Sequence, residues 1–229
     1  ADMRGQLPGK RTQGWHDVTL GEIVTTIAGR NSLEPVVAAA LNGIRIGHID
    51  QTDESDLNFL PRLGERYDAI AAIKAGRMLF TVAGQGLTAS GRAMPAITLT
   101  RRDGDQHRYS VTDRDAYSGV KAYWNDTRGA ERHTVLAGTE ENAKQLRPTY
   151  ATEDDALAAS RAEWQRIQRG LAEFELTLAL GRADLLPETP LTLAGFKPQI
   201  DATAWLVSEV THSLNDGGLG TVVRCEVKG

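Results

Sequence analysis

The stretch TEDDALAASRAEWQRIQRGLAEFELTLAL, residues 152–180, changes its hydrophobic period once, around Gly170. Leu157, Trp164, Ile167 and Leu171 recur at spacings of seven, three and four, the repeat of one face of an α-helix. Arg161, Glu163, Arg166 and Arg169 occupy the opposite face. Thr152 and Asp155 have capping-box spacing, and Glu153 and Asp154 place negative charge at the positive end of the helix dipole. These features predict a long amphipathic helix over 152-170. Beyond it the period falls to two. Phe174, Leu176, Leu178 and Leu180 face one way, with Glu173, Glu175 and Thr177 facing the other, as in a half-buried strand.

Two more strands follow. Residues 203–214 are rich in β-branched and aromatic side chains, and Val223, Cys225 and Val227 alternate with Arg224, Glu226 and Lys228. Asn215-Asp216-Gly217-Gly218 supplies the turn between them. Upstream, Val120, Ala122 and Trp124 alternate as well, and residues 134–137 are expected to pair with them. Residues 114-229 therefore read as an antiparallel β-barrel-like module crossed by the helix.

The first half is shorter in its periods. Residues 1-14, with Gly5, Pro8 and Gly9, read as a flexible lead-in. Residues 15-113 read as a small mixed α/β domain. A helix starts at Thr19, which has capping-box spacing to Glu22, carries Ile23, Val24 and Ile27 on one face, and stops at Gly29 and Asn31. A second short helix is expected over 36–41 and a brief strand at Ile44, Ile46 and His48. Leu57, Leu60 and Tyr67 share a helical face over 53–67, where Pro61 implies a kink or a late start. Residues 69–74 and 78–82 form a hairpin turned by Ala75-Gly76, and strands are expected at 96–100 and 107–112. The fold class is α+β.

Composition excludes several classes. The 229 residues are 41% hydrophobic and 24% charged, with a formal net charge of −4 and a pI near 5.8. No basic stripe marks a nucleic-acid partner, and Arg101-Arg102 is followed at once by Asp103 and Asp105, as in a solvated turn. Cys225 is the single cysteine, so no intrachain disulfide forms. No apolar run approaches the length of roughly eighteen residues that a membrane span needs. The start of the chain is polar, unlike a secretory signal, and its first residue is not Met, so an upstream segment is expected.

Each catalytic or cofactor pattern fails on a stated requirement. Gly84-Gln85-Gly86-Leu87-Thr88-Ala89 matches a dinucleotide fingerprint, but Ser90, Gly91 and Pro95 continue a loop where a helix must begin. Gly5 to Lys10 lacks the spacing of a phosphate-binding loop. Asp50, Asp53 and Asp56 lack the glycine and glutamate of a calcium loop, and two of them read as helix N-terminal residues. His16, His48, His107, His133 and His212 are scattered, with no pair at ligand spacing. Glu140-Glu141 and Asp154-Asp155 read as solvated loop and helix cap. No catalytic, cofactor-binding or metal-binding residue is assigned. Cys225 falls on the apolar face of its strand, as a buried thiol would. For Trp124 and Trp164, core packing is the preferred reading and an interface anchor the sharper one. The helix at residues 19–28 loosely resembles LysM-type glycan-binding domains, which gives the alternative of a peptidoglycan-binding or wall-degrading module.

The order of several segments resembles the late control gene D proteins of contractile-tail phages. They are Tyr117-Ser118-Gly119-Val120 to Ala122-Tyr123-Trp124, Thr152-Glu153-Asp154-Asp155 with Trp164, and Trp205 through Val210 and His212 to Thr221. Residues 51–67, with Asp53-Glu54-Ser55-Asp56, Phe59-Leu60 and Arg62-Leu63, are also similar to a segment of type VI secretion spike proteins. The resemblance implies a baseplate hub protein without enzymatic activity. In that family two tube-like barrels per subunit form a pseudo-sixfold trimeric ring that adapts the tail tube to the central spike. The implied partners are a homotrimer of the full-length protein, the central spike, the tail tube and other baseplate proteins. The implied location is the virion baseplate, after assembly in the host bacterial cytoplasm. The resemblance also implies that the N-terminal part, which contributes the first barrel in that family, is expected to lie outside this chain.

Overall fold

The computed structural model describes residues 7–88, 90–112, 117–126, 129 and 131–229. In chain order the elements are β1 (Lys10–Thr19), α1 (Leu20–Arg30), β2 (Glu34–Val37), α2 (Ala39–Asn42), β3 (Arg45–Ser55), α3 (Asp56–Tyr67), β4 (Ala69–Lys74) and β5 (Arg77–Val82). There follow β6 (Ile97–Thr100), β7 (Gly104–Val111), β8 (Gly119–Asp126), β9 (Glu131–Gly138) and β10 (Ala143–Tyr150). The remainder comprises α4 (Glu153–Arg169), β11 (Ala172–Leu178), β12 (Pro190–Ala194), α5 (Pro198–Asp201), β13 (Trp205–Asn215) and β14 (Gly218–Val227).

These elements form two compact units interleaved along the chain, one from Ala1–Ala83 and Tyr117–Gln165, the other from Gly84–Ala116 and Arg166–Gly229. Consecutive blocks cut at 14/15 and 113/114 do not describe this arrangement. Residues 10–14 already belong to β1, and β6 and β7 join the sheet of the later strands. Strand pairing is long-range, so local periodicity does not reveal it.

In the first unit, α1 begins as expected. Thr19 accepts from the Glu22 amide at 3.2 Å, and Glu22 accepts from the Thr19 amide at 2.6 Å. That hydrogen bond to the Thr19 backbone also lowers the pKa of the Glu22 carboxyl. Leu20, Ile23, Val24 and Ile27 are wholly buried and meet Trp15, Ile46, Phe59, Leu63 and Phe80 in one core. The Trp15 and Phe59 rings stack 6.3 Å apart.

Three local expectations are corrected here. The short helix at 36–41 is instead β2, which pairs in parallel with β5 (Val36 opposite Leu79, Val37 opposite Phe80), followed by the single turn α2. Two β-branched valines facing an available strand outweigh weak helical spacing. The brief strand at Ile44 grows into the eleven-residue β3, paired with β1. Of the three spaced aspartates only Asp56 therefore opens a helix. It is fully buried, accepts from the Gln51 side chain at 2.9 Å, and lies 3.3 Å from Arg11. Pro61 sits inside α3 rather than at its start, so the Leu57 carbonyl has no amide four residues on. The hairpin β4–β5 is as expected, with Ala75 and Gly76 both at positive φ.

The same unit holds the sheet β10-β8-β9, in which β8 and β9 pair as expected, Val120 opposite Ala137 and Ala122 opposite Val135. Helix α4 forms over almost the expected span, but a different face is packed. Ala156, Ala159, Ser160 and Ala162 are buried, whereas Leu157, Trp164 and Ile167 are only half-buried and Leu171 lies beyond the helix. Small side chains let the helix backbone approach closely, a property that a hydrophobicity pattern overlooks. The capping box is half made. The Asp155 amide donates to the Thr152 hydroxyl at 3.2 Å, while the Asp155 carboxylate turns inward to Arg66 at 2.7 Å and accepts from the Tyr67 hydroxyl at 3.4 Å.

Burial, reinforced by the nearby Asp155 carboxylate, pushes the Tyr67 hydroxyl up from 10 to about 12. Its folded-state pKa is raised, so its contribution is complete below pH 10 and is lost as pH climbs through 12. Urea unfolding between pH 10 and 12 should show a decline that reaches about 2–3 kcal/mol and that Tyr67→Phe abolishes. An identical decline in the Phe variant would assign it to other groups.

The second unit is a six-stranded sheet in the order β6-β12-β13-β14-β11-β7, antiparallel except for the parallel pair β6 and β12. Phe174, Leu176, Trp205, Val207, Val223 and Cys225 form its core. The Trp205 indole donates to the Ile200 carbonyl at 2.8 Å, and its ring lies 5.8 Å from Phe174 and 6.2 Å from Tyr109. Leu180, expected on the apolar face of β11, lies past its end and is 82% exposed. Cys225 is buried, and burial pushes its thiol up to about 12. Native protein should therefore resist thiol reagents at neutral pH and react fully in denaturant, as a thiol titration reads directly.

Candidate assembly surfaces

On the β13–β14 hairpin burial reaches Val223 and Thr221 of β14 and stops short of the tip. From Ser208 onward β13 carries no buried residue, although pairing continues from Val210 opposite Val223 to Asn215 opposite Gly218. Ser208, between Val207 and Glu209, shifts the register as a bulge before pairing resumes at Glu209 opposite Arg224. The turn is closed by the Gly217 amide donating to the Asn215 side chain at 2.9 Å. Near the tip Leu214 faces Leu219 across the ladder, 82% and 37% exposed. Gly181 lies against Leu219, where a Cβ would come within 2.2 Å of the Leu219 carbonyl, so the exposed Leu180 borders the same tip. Clustered exposed leucines on a projecting hairpin mark a contact surface rather than a core.

The polar face of this sheet is a charge ladder. Arg224 bridges Glu175 at 2.7 Å and Glu209 at 3.3 Å, and with Arg108, Ser110 and Glu173 they line a shallow groove. The ladder satisfies itself, and exposed pairs of this kind contribute about 0–1 kcal/mol. Half-buried tryptophans mark the first unit. The Trp124 ring stacks on His133 at 4.8 Å, and Trp164 lies over Gly138, where a Cβ would sit 3.1 Å from the ring. Both rings are thus half-buried against their own unit, Trp124 on His133 and Trp164 on Gly138.

The glycine motif finds a structural use. The Gly84 amide donates to Glu188 Oε1 at 3.1 Å and the Gly86 amide to Oε2 at 3.2 Å. The two amides that a pyrophosphate would need thus hold the chain's own carboxylate, and Ala89 lies outside the described residues. Arg101 and Arg102 form an exposed 3₁₀ turn capped by Thr100 and Asp103. Among the described residues no group of three or more potential ligands converges on a metal position, and no helix is long and apolar enough to cross a membrane.

His107 packs beside Phe174 and Phe196, and His212 bonds the Thr221 hydroxyl at 3.0 Å. His16 and His48, far apart in sequence, stack with centroids 4.4 Å apart. No local spacing signals that pair, because the register of β1 on β3 creates it.

A family model described as phage tail baseplate hub (GPD) matches residues 7–218. The probable baseplate hub proteins of Escherichia phage 186 and Escherichia phage P2 are 43% and 41% identical to the chain, which aligns along its whole length and spans 69% of each. Among solved structures, the 43 kDa tail protein of prophage MuSo2 from Shewanella oneidensis superposes with a TM-score of 0.65 at 16% identity, covering 93% of this chain and 66% of that one. A tail protein from Neisseria meningitidis MC58 gives 0.66 at 13% identity, covering 96% and 70%. An E. coli component of the type VI secretion system gives 0.58 at 14% identity, covering 98% and 53%.

Proposed function

The chain belongs to the phage tail baseplate hub family, and on that premise we propose how it serves the virion baseplate as a structural subunit. In this reading three full-length copies form a ring around the tail axis, bound to the tail tube on one side and the central spike on the other. The ring assembles in the host cytoplasm and has no catalytic role. The six-stranded sheet serves as a curved wall segment of the barrel. The observation that carries the proposal is the outer end of the β13–β14 hairpin, where Leu214 and Leu219 lie exposed beside the equally exposed Leu180. A hairpin with so little self-packing gains its stability from neighbours. The wall-binding alternative draws no support from the family match, and the α1 face that suggested it is buried in the first core.

Leu214→Glu with Leu219→Glu tests this in the full-length protein. Folding should be untouched, since exposed substitutions shift stability by only about 0.5 kcal/mol. Trimer recovery, and capture of the co-expressed spike protein, should fall at least tenfold by size-exclusion chromatography with light scattering. Unchanged assembly of the doubly charged variant would remove the hairpin from the interface. A wild-type protein that stays monomeric and captures no spike would end the hub reading itself.

A further inference from the structure

On the exposed side of the β1–β3 pair, register sets His16 directly opposite His48 and Gly14 opposite Asp50. His48 Nδ1 lies 3.0 Å from His16 Nδ1, and His48 Nε2 lies 3.0 Å from Asp50 Oδ2. The Asp50 carboxylate accepts a hydrogen bond from His48 Nε2–H, the tautomer that leaves the lone pair of His48 on Nδ1, the atom that faces His16. Gly14 makes room for the second ring, because a Cβ there would fall 2.8 Å from His16 Nε2.

We propose that His16 and His48 bind one divalent transition-metal ion through their two Nδ1 atoms, with Asp50 orienting His48 from behind. A metal–imidazole bond of about 2.0–2.1 Å places two nitrogens about 2.9 Å apart at a right angle and about 3.3 Å apart at a tetrahedral angle. The observed 3.0 Å matches the right angle of square-planar and octahedral ions. Copper(II) and nickel(II) are thus favoured over zinc, in the order that intrinsic affinities also follow. The rings are stacked with an interplanar angle of 27°, so each turns about χ2 on binding to bring its in-plane lone pair onto the ion. His48 is 46% exposed, which permits that rotation and leaves the remaining positions to water. On binding, the Nδ1 proton shared between the rings moves to His16 Nε2, so two neutral imidazoles ligate without net charge transfer. The arrangement at His48 is the carboxylate–histidine–metal relay, in which the outer group sets the tautomer of the ligand.

Isothermal titration of the intact protein with copper(II), nickel(II) and zinc(II) chloride tests the site, with the copper d–d absorption as a second readout. One equivalent of copper should bind, with nickel next and zinc weakest. His16→Ala and His48→Gln should each weaken copper binding at least tenfold, and Asp50→Asn about tenfold. Circular dichroism confirms folding, and His133→Ala, on another sheet, serves as the control that leaves binding unchanged. Equal copper affinity in His16→Ala, or no saturable equivalent in the wild type, overturns the proposal. Zinc bound more tightly than copper and nickel overturns the right-angle geometry. Trimer formation is not measured in this experiment, so the outcome is independent of the hub reading.

Discussion

Asp155→Ala should destabilise the chain by about 3–5 kcal/mol, because it strands a largely buried arginine. Arg66 Nη2 lies 2.7 Å from the Asp155 carboxylate, with side-chain exposures of 18% and 3%. The guanidinium also lies 5.6 Å from the Tyr67 ring centroid and 5.5 Å from that of Tyr150, so α3, β10 and α4 converge on it. Removing the carboxylate leaves the largely buried charge beside the faces of the Tyr67 and Tyr150 rings without its ion-pair partner, Asp155. Urea denaturation measures the loss, provided the slope is unchanged. The control is a double replacement, Arg66→Met with Asp155→Leu, which removes both charges and should recover most of the stability. If the double variant is no better than Asp155→Ala, the cost comes from packing or from the helix start rather than from the unpaired charge.

Trp205→Ala should cost about 3–5 kcal/mol in the second unit, as large-to-small changes in a closed core do. The ring is 1% exposed and touches the Phe174 and Tyr109 rings, and its indole nitrogen satisfies the Ile200 carbonyl. The substitution opens a cavity and removes one of the hydrogen bonds that the Ile200 carbonyl accepts, while the Thr203 amide still donates to it at 3.3 Å. Trp124→Ala offers the contrast, since its half-buried ring stacks on His133 and should cost about 1 kcal/mol or less. Tryptophan fluorescence in urea, followed for each variant, separates them. Similar losses at the two positions would give Trp124 a core role, whereas a small loss leaves it free to serve as an interface anchor.

The two tryptophans show where sequence reasoning reaches its limit. Both sit in alternating segments, and alternation reports which side a residue faces, not what covers that side. Trp205 is covered by β7, β11 and α5, whereas Trp124 meets one histidine of the neighbouring strand. The same holds for α4. Its length and acidic start were legible, but which stripe packs depends on how closely a neighbour can approach, and alanines permit what Leu157 and Trp164 do not.

The sequence by itself determined the features whose physics acts over two to four residues. They are the capping box at Thr19, the Ala75-Gly76 and Asp216-Gly217 turns, the α+β class and the periods of α1 and β11, along with the ordered segments that resemble the hub family. Only the tertiary structure decided what depends on register between distant segments. It interleaved the two units, set Glu188 into the Gly84–Gly86 amides across 104 residues, and brought His48 onto His16 across 32. The reason is physical. Caps and periods are satisfied within the segment that carries them, whereas pairing is chosen by the burial of whole faces, and a one-residue change of register would have set either histidine against a different neighbour.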